Sequence, residues 1–568
     1  MPAILLACLV CGAAISVWKG QDANWDLRNY HLYNGWAALN GRIGIDLAAA
    51  SLQSWINPTL DVPYAWLALG PFSQSPRLLA AFMGLWYGAL LAIILAIACL
   101  LYRPWPAERR WLATIIATIV ASTGAAVFSQ IGATFNEIQT AIFVLAAALV
   151  IVRELDRGNG AAPRPAMLLF AGALLGAAAG LKFTSAIYAP AAGLALLACT
   201  GANRRLWRVA LLIAGAVAGF AAGGGWWAWN LYKIFGNPLF PFFNGVFHSP
   251  WYPPANLFDR RFLPHSVWQE LFYPFFWLSK QPMLIAENGF RDGRAALCFT
   301  LGLTIIAAAA SRAIARAVTG ERETLLPITT NLPQRFLLVF AAAAYAIWLG
   351  TSSILRYAIP VEAAAGLSIP LLLALLMRPG ASRARARAWT ALATAISLVL
   401  LVTTRYPGWG RMPYGANVAA ADMDWLRPNS LVVFVGATIS YVAPFAPRQR
   451  NIEFLGLTDV VFEARGYRLA DEAIKRIDSH RGPIALVWTS SESWRLPSLP
   501  DMGVVMVPNS CRIFFGSYDS AIGQQLHSCA GRFQIPKPLT SPFWRAAAKR
   551  YDEVDVPEPA PGWSYAGF

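Results

Sequence analysis

The first polar stretch of the chain, QDANWDLRNYHLYNGWAALNGRIGID, holds the residue types best suited to chemistry. Wound as an α-helix from Asp26, it would bring Asp26, Asn29, Tyr30 and Tyr33 onto one face at i, i+3, i+4 and i+7. A carboxylate, an amide and two phenols so spaced can turn toward a cavity, while Leu32, Trp36 and Leu39 on another stripe meet lipid or protein. Asp22 and Asp26 are the carboxylates nearest the end of the first apolar run. His31 has the chemistry to bind phosphate, orient a carboxylate or ligate a metal. Hydrogen bonding to a substrate or to Asp26 is the role expected of it, because none of the five histidines makes a His-x-x-x-His pair.

Two lone cations, Lys182 and Arg356, fall at the ends of apolar runs on the same side, where an isolated basic residue departs from the usual charge bias and reads as functional. The non-functional alternative for Arg356 is a salt bridge to Glu362, two helical turns away, or simple snorkelling, and Glu362 itself is a candidate substrate-binding residue. The segment SPWYPPANLFDRRFLPHS adds Arg260, Arg261 and His265 among prolines and aromatics. Aromatic rings stack on sugar faces and guanidinium grips phosphate bidentately, so this segment is expected to cover the cavity and recognise its ligand. Neither a Gly-x-Ser-x-Gly elbow nor a Walker loop occurs, which removes support for hydrolase and ATPase readings.

The elements that must hold these residues are membrane helices. Of 568 residues, 57% are hydrophobic and only 13% charged, about half the charge of a soluble domain. The net charge of +16 is spread between apolar segments instead of gathered in a patch, which argues against nucleic acid as a partner. Apolar runs around 2–18, 76–101, 111–128, 137–152, 166–181, 184–200, 208–229, 295–311, 336–350, 354–377 and 388–404 predict about 11 transmembrane helices. Even-numbered connections carry Arg103, Arg109 and Arg110, then Arg153, Arg157 and Arg164, and finally Arg383, Arg385 and Arg387. The positive-inside rule makes these cytoplasmic, with the N-terminus inside and the tail outside.

The outer side then holds loops 19–75 and 231–294 and the tail, so a transmembrane domain over 1–404 precedes a small α/β domain over 405–568. Ser430–Val435 and Ile484–Trp488 read as buried strands and Leu469–Ile477 as an amphipathic helix. Cys8, Cys11, Cys99, Cys199 and Cys298 lie in apolar stretches and read as small buried hydrophobes. Cys511 and Cys529, in the polar tail, are expected to pair as a disulfide.

A first span followed by an acidic residue in an outer loop with a juxtamembrane helix resembles the GT-C glycosyltransferases, and the resemblance extends through Trp25–Arg42, Gly180–Thr184, Asn237–Asn244 and Arg356–Glu362. It is similar to a bacterial branch near glycosyltransferase family 87, over residues 1–404. The resemblance implies a mainly α, polytopic bundle in the bacterial inner membrane with periplasmic juxtamembrane helices. It further implies a hexosyl- or pentosyltransferase that uses a polyprenyl-phosphate-linked donor. Asp26, with Asp22 as the alternative, would be the general base toward an acceptor hydroxyl, and Glu137 would match the second acidic position of the next outer loop. Lys182 and Arg356 would face the donor phosphate. No cofactor is implied with certainty, and a divalent metal is left open.

The partners expected are membrane lipids, the donor, a lipid-linked glycan or other envelope acceptor, and a polysaccharide-assembly protein on the tail. The rival reading is a non-enzymatic transporter or scaffold of such an assembly. A transporter would place its ionisable or helix-breaking residues at mid-bilayer in paired halves, whereas here they gather at one face.

Overall fold

The computed structural model describes residues 2–157, 163–199, 205–319, 330–380 and 382–536, so the last 32 residues of the expected C-terminal domain, 537–568, lie outside the described residues. Each of the eleven apolar runs overlaps a helix. Seven helices are long and apolar enough to cross a membrane: Pro76–Tyr102, Glu137–Leu155, Arg205–Phe235, Arg294–Ser311, Leu332–Thr351, Leu355–Met377 and Arg383–Thr403. Three shorter apolar helices, Pro2–Trp18, Pro165–Leu181 and Phe183–Cys199, pack among them, and Ala107–Ser122 begins with Glu108, Arg109 and Arg110 before turning apolar. The chain is a multi-pass membrane protein. Cys8 and Cys199 are buried, while Cys11 and Cys99 face outward from the bundle instead.

Small residues set the closest helix contacts. Gly172 and Gly176 on Pro165–Leu181 lie against the backbone of Leu212 and Ala216 on Arg205–Phe235, Gly215 and Gly219 lie against that of Leu169 and Ala173 in return, Gly180 meets Gly224, and a Cβ at Gly176 would strike the carbonyl oxygen of Ala216. Backbones can approach this closely only without side chains between them. Asn57 then caps the pair by donating its amide to the carbonyls of Gly180 and Gly223, at 2.9 and 3.0 Å. In this way a loop residue is tied to the end of the helix that presents Lys182.

The ends of three further helices are locked by Arg294, which is fully buried. It bonds Asp292 at 2.6 Å, the Val120 carbonyl at 2.8 Å, and the hydroxyls of Thr123 and Thr404 at 3.0 and 3.1 Å. Asp292 and Glu362 in turn accept the backbone N–H groups of Ala125, Ala126 and Val127 at 2.9 to 3.0 Å. Those N–H groups open a short helix, where orphan donors and a positive end favour carboxylates. Glu362 is therefore committed to this helix start and is not the partner of Arg356.

The tail forms a mixed six-stranded sheet in the order β4-β3-β5-β8-β6, with β7 also paired to β8. The strands are β3 Leu431–Val435, β4 Glu453–Leu457, β5 Ile484–Thr489, β6 Val504–Met506, β7 Arg512–Phe514 and β8 Leu526–Phe533. β3 pairs in parallel with β4 and β5, and every residue of β3 and β5 is buried, as continuous apolar strands require when both faces are covered. Helix Arg468–Ser479 lies against one face. Cys511 and Cys529 are joined in a disulfide.

This domain is woven into the first loop. β1 Gln21–Asp22 pairs antiparallel with β2 Arg411–Met412, and Leu47 extends the β4 edge through bonds to Phe454 and Gly456 of 3.1 and 2.9 Å. The sheet and the first loop therefore fold as one body at the end of the bundle opposite Arg103, Arg157 and Arg164, which pair with Asp156 and Glu154.

Replacing Arg294 with Met would strand a buried Asp292 carboxylate, a cost of about 3–5 kcal/mol. Thermal unfolding of the detergent-solubilised protein should show a clearly lowered midpoint for Arg294→Met. A midpoint equal to that of the parent would contradict the locking role of this residue.

Candidate functional site

The helix after Asp26 is not an α-helix at its start. Residues Leu27–His31 form a π-helical turn that continues into the α-helix Leu32–Leu39. A π-turn is wider by nearly one residue, and such turns concentrate at functional sites. The expected face of Asp26, Asn29, Tyr30 and Tyr33 is consequently broken. Asp26, Tyr30 and His31 stay together, with the Tyr30 hydroxyl 3.2 Å from Asp26 and the Tyr30 and His31 rings 4.0 Å apart. Asn29 and Tyr33 rotate to other partners.

Asn29 turns to the C-terminal domain. Its side-chain oxygen accepts the Thr438 N–H at 3.0 Å, its carbonyl accepts the Ser440 hydroxyl, and its amide donates to Gln53 at 3.2 Å. Arg28 lies beside Asp519 at 3.9 Å, and Asp519 also accepts from Tyr441. Tyr33 donates to Asp46 at 2.8 Å, where Arg42 is also bound. Two consecutive residues of the turn that follows Asp26 are thus gripped by loops of the α/β domain.

Asp26 is 7% exposed. One of its carboxylate oxygens lies 2.7 Å from Arg356 Nη1, and Arg356 Nη2 reaches Glu287 at 2.8 Å. The guanidinium sits among the rings of Phe135, Tyr357 and Trp409, with centroids 5.1 to 5.7 Å away. Burial alone would raise the Asp26 carboxyl, but the positive charges of Arg356, His31 and Lys182 outweigh it and hold the group below the usual carboxylate range. Burial and the neighbouring Asp26 and Glu137 push the Tyr30 phenol far up, so it acts as a neutral donor.

Lys182 is placed by the end of its helix, where the backbone turns extended. Its ammonium donates to the Phe135 carbonyl at 2.5 Å and to Glu137 at 2.6 Å, and lies 5.9 Å from the Tyr357 ring that also flanks Arg356. Asn136 beside Glu137 is left-handed (φ 70°), a conformation asparagine tolerates. Its amide donates to Asp61 at 2.6 Å. His31 Nδ1 lies 2.6 Å from the same Asp61 oxygen, so the imidazole is held by Asp61 and not by Asp26. Among the described residues, no three His, Cys, Asp or Glu side chains converge as metal ligands.

The structure therefore brings together Asp26, Tyr30, His31, Glu137, Lys182 and Arg356. Asp22 is close in sequence but consumed: its two oxygens accept from Asn24 and from the Thr134 N–H and hydroxyl at 2.8 to 3.3 Å. These bonds tie β1 to the loop before Glu137, which is a structural task. Arg261 is spent on Asp259 at 2.7 Å, and Arg260 and His265 are exposed, so this trio does not join the buried cluster. Two members went unrecognised in the sequence. Asp61 lies in the unremarkable run Thr59-Leu60-Asp61, and Glu287 lies in an irregular loop with no periodicity; neither carries a local signal.

Beyond Tyr33 the same juxtamembrane helix lines an open cleft with Asn34, Trp55, Trp227 and Trp251. Its walls combine aromatic and aliphatic side chains with the charged Arg42, Asp46 and Arg476, between the helix Arg205–Phe235 and the α/β domain.

No protein-family model matches the sequence, and no curated protein matches it. The fold is similar to solved membrane structures. Over 94% of this chain and 99% of the other, it overlays ArnT from Cupriavidus metallidurans bound to undecaprenyl phosphate, with a TM-score of 0.48 and 13% identity. Over 85% of this chain and 69% of the other, it overlays the apo Archaeoglobus fulgidus oligosaccharyltransferase, with a TM-score of 0.44 and 13% identity. The same shares are covered for the archaeal oligosaccharyltransferase AglB from Archaeoglobus fulgidus in complex with an inhibitory peptide and a dolichol-phosphate, with a TM-score of 0.43 and 14% identity.

Proposed function

We propose that the chain is a glycosyltransferase that moves a hexosyl or pentosyl unit from a polyprenyl-phosphate-linked donor to a lipid-linked glycan or other envelope acceptor. It works at the periplasmic face of a bacterial inner membrane, with its N-terminus in the cytoplasm. The observation that carries this reading is the buried Asp26–Arg356 pair beside Lys182, a carboxylate and two cations at one end of a membrane bundle.

The chemistry follows from those groups. The acceptor oxygen attacks the anomeric carbon from the side opposite the phosphate, and its proton passes to an Asp26 oxygen. The bond between the anomeric carbon and the phosphate oxygen breaks, and its electron pair leaves with the phosphate. A single displacement inverts the anomeric centre. The developing charge on the leaving group meets Arg356 and Lys182, which are already fixed in a water-poor site, where such stabilisation is strongest. The rings of Phe135, Tyr357 and Trp409 around Arg356 suit a sugar face. The His31–Asp61–Asn136 network holds the Tyr30 side of the carboxylate in place.

Asp26→Asn keeps shape and removes the proton acceptor. Transfer measured with a radiolabelled polyprenyl-phosphate sugar should fall by about 100-fold or more per folded molecule, with a lowered thermal midpoint because Arg356 loses a charged partner, and with donor binding retained. A transporter or scaffold would retain its activity in this variant, and that result would end the enzymatic reading.

The pH dependence carries a sign. Because the folded-state Asp26 carboxyl is depressed, its ionised form persists until the pH falls below the ordinary value of about 4. The stability it contributes is present above the unfolded pKa and is lost as the pH falls through the folded one. Transfer should therefore show no acid limb from Asp26 between pH 5 and 8. A limb in that window that vanishes in Asp26→Asn would refute the assignment.

A further inference from the structure

The cluster contains more anions than its task requires. Asp26, Glu137 and Glu287 place three carboxylates on the two cations Lys182 and Arg356, so both are already neutralised before any phosphate arrives. A phosphate entering this arrangement would meet carboxylates on the same donors, and like charges so close cost several kcal/mol. One carboxylate has to yield. Asp26 also accepts from Tyr30 and opens an ordered helical turn, and Glu137 begins the helix Glu137–Leu155 and is 4% exposed. Glu287 lies in the irregular segment between the helices Val267–Phe276 and Arg294–Thr319, its side chain is 27% exposed, and its second oxygen is buried without a partner among the described residues.

The Arg356 fork is likewise half used. Nη1 serves Asp26 and Nη2 serves Glu287, while the buried Nε has no partner among the described residues. Nε and Nη2 form the side of a guanidinium that takes a phosphate bidentately through two parallel N–H bonds. A phosphate seated there would replace one bond to Glu287 with two, and would leave the Nη1 bond to Asp26 intact. The backbone around Glu287 need not open for this exchange. The Ile285 carbonyl accepts the Leu355 N–H at 2.9 Å, and Asn288 donates to the Gly408 carbonyl at 2.6 Å, so a side-chain swing suffices.

We infer that Glu287 is a resident stand-in for the donor phosphate, a carboxylate that holds Arg356 in register in the empty site and is displaced when a polyprenyl phosphate binds side-on to Nε and Nη2. It sets selectivity, since a neutral polyprenol offers nothing that outcompetes a carboxylate for a guanidinium, whereas a phosphate does. The inference rests on the donor class proposed above and adds the residue that guards its subsite.

The test is a calorimetric titration of the full-length protein in detergent with geranylgeranyl phosphate, with geranylgeraniol as the uncharged control. Glu287→Gln and Glu287→Ala should each bind the phosphate about tenfold more tightly than the parent, with no gain for the alcohol, a gain that misfolding cannot produce. Arg356→Gln should lose the phosphate-dependent signal. If both Glu287 variants bind the phosphate no better than the parent while Arg356→Gln abolishes binding, the stand-in role is wrong and the donor-site reading stands. If the parent and Arg356→Gln respond alike, the donor-site reading itself falls, and the stand-in role with it.

Discussion

A guanidinium taken out of water must be neutralised on the spot, and that constraint organises the whole loop-bearing end of the molecule. Arg356 sits between a membrane-spanning helix and the juxtamembrane turn. Its two carboxylate partners come from sequence positions 330 and 69 residues away. Asp26 arrives from the first loop, and Glu287 from the second. The lock at Arg294 and the glycine-lined helix pair that carries Lys182 fix helix ends on the same side of the bundle. Desolvation of one cation thus dictates where two loops end up.

The π-turn after Asp26 is the local device that makes this compatible with a folded periphery. An α-helix would have pointed Asn29 and Tyr33 toward the site together with Asp26. The wider turn directs Asn29 and Arg28 outward into loops of the α/β domain, and leaves Tyr30 and His31 beside the carboxylate. Irregular backbone of this kind survives only where surrounding bonds over-determine it. Here Thr438, Ser440, Asp519 and Asp61 supply those bonds. The α/β domain therefore acts on the carboxylate from a distance, through the geometry of the turn, without lending a side chain to it.

How much of this was legible in the sequence divides along physical lines. Helix positions were, because twenty apolar residues have one interpretation in a bilayer; the run at 354–377 and the helix Leu355–Met377 nearly coincide. The burial of both strand faces in Leu431–Val435 and Ile484–Thr489 was legible from unbroken apolar runs. Asp26, Lys182 and Arg356 were singled out as ionisable groups at one membrane face, and they do converge. What failed was anything that depends on side-chain direction. Helical spacing placed Asn29 beside Asp26, but a single π-turn moved it away, and the Glu362 bridge weighed as an alternative for Arg356 does not form, because orphan N–H groups at Ala126 and Val127 claim that carboxylate. Glu287 and Asp61 were invisible, since their partners lie 69 and 30 residues away and no periodicity links them.

The same logic explains why the cluster is self-neutralised. Lys182 bound to Glu137, and Arg356 bound to Asp26 and Glu287, form three ion pairs at the level where helix ends meet the loops. With their carboxylates removed, two cations flanking the Tyr357 ring would repel one another in a medium that screens poorly. The loops would then have no electrostatic reason to close over them. A phosphate could serve the same purpose, but only while it is bound. Resident carboxylates hold the cations fixed between turnovers, and a fixed donor is worth more to a developing charge than one that must first reorganise. The cost is competition with the ligand. That cost stays tolerable only if one carboxylate sits on irregular chain and gives way, while the other two remain anchored on helices.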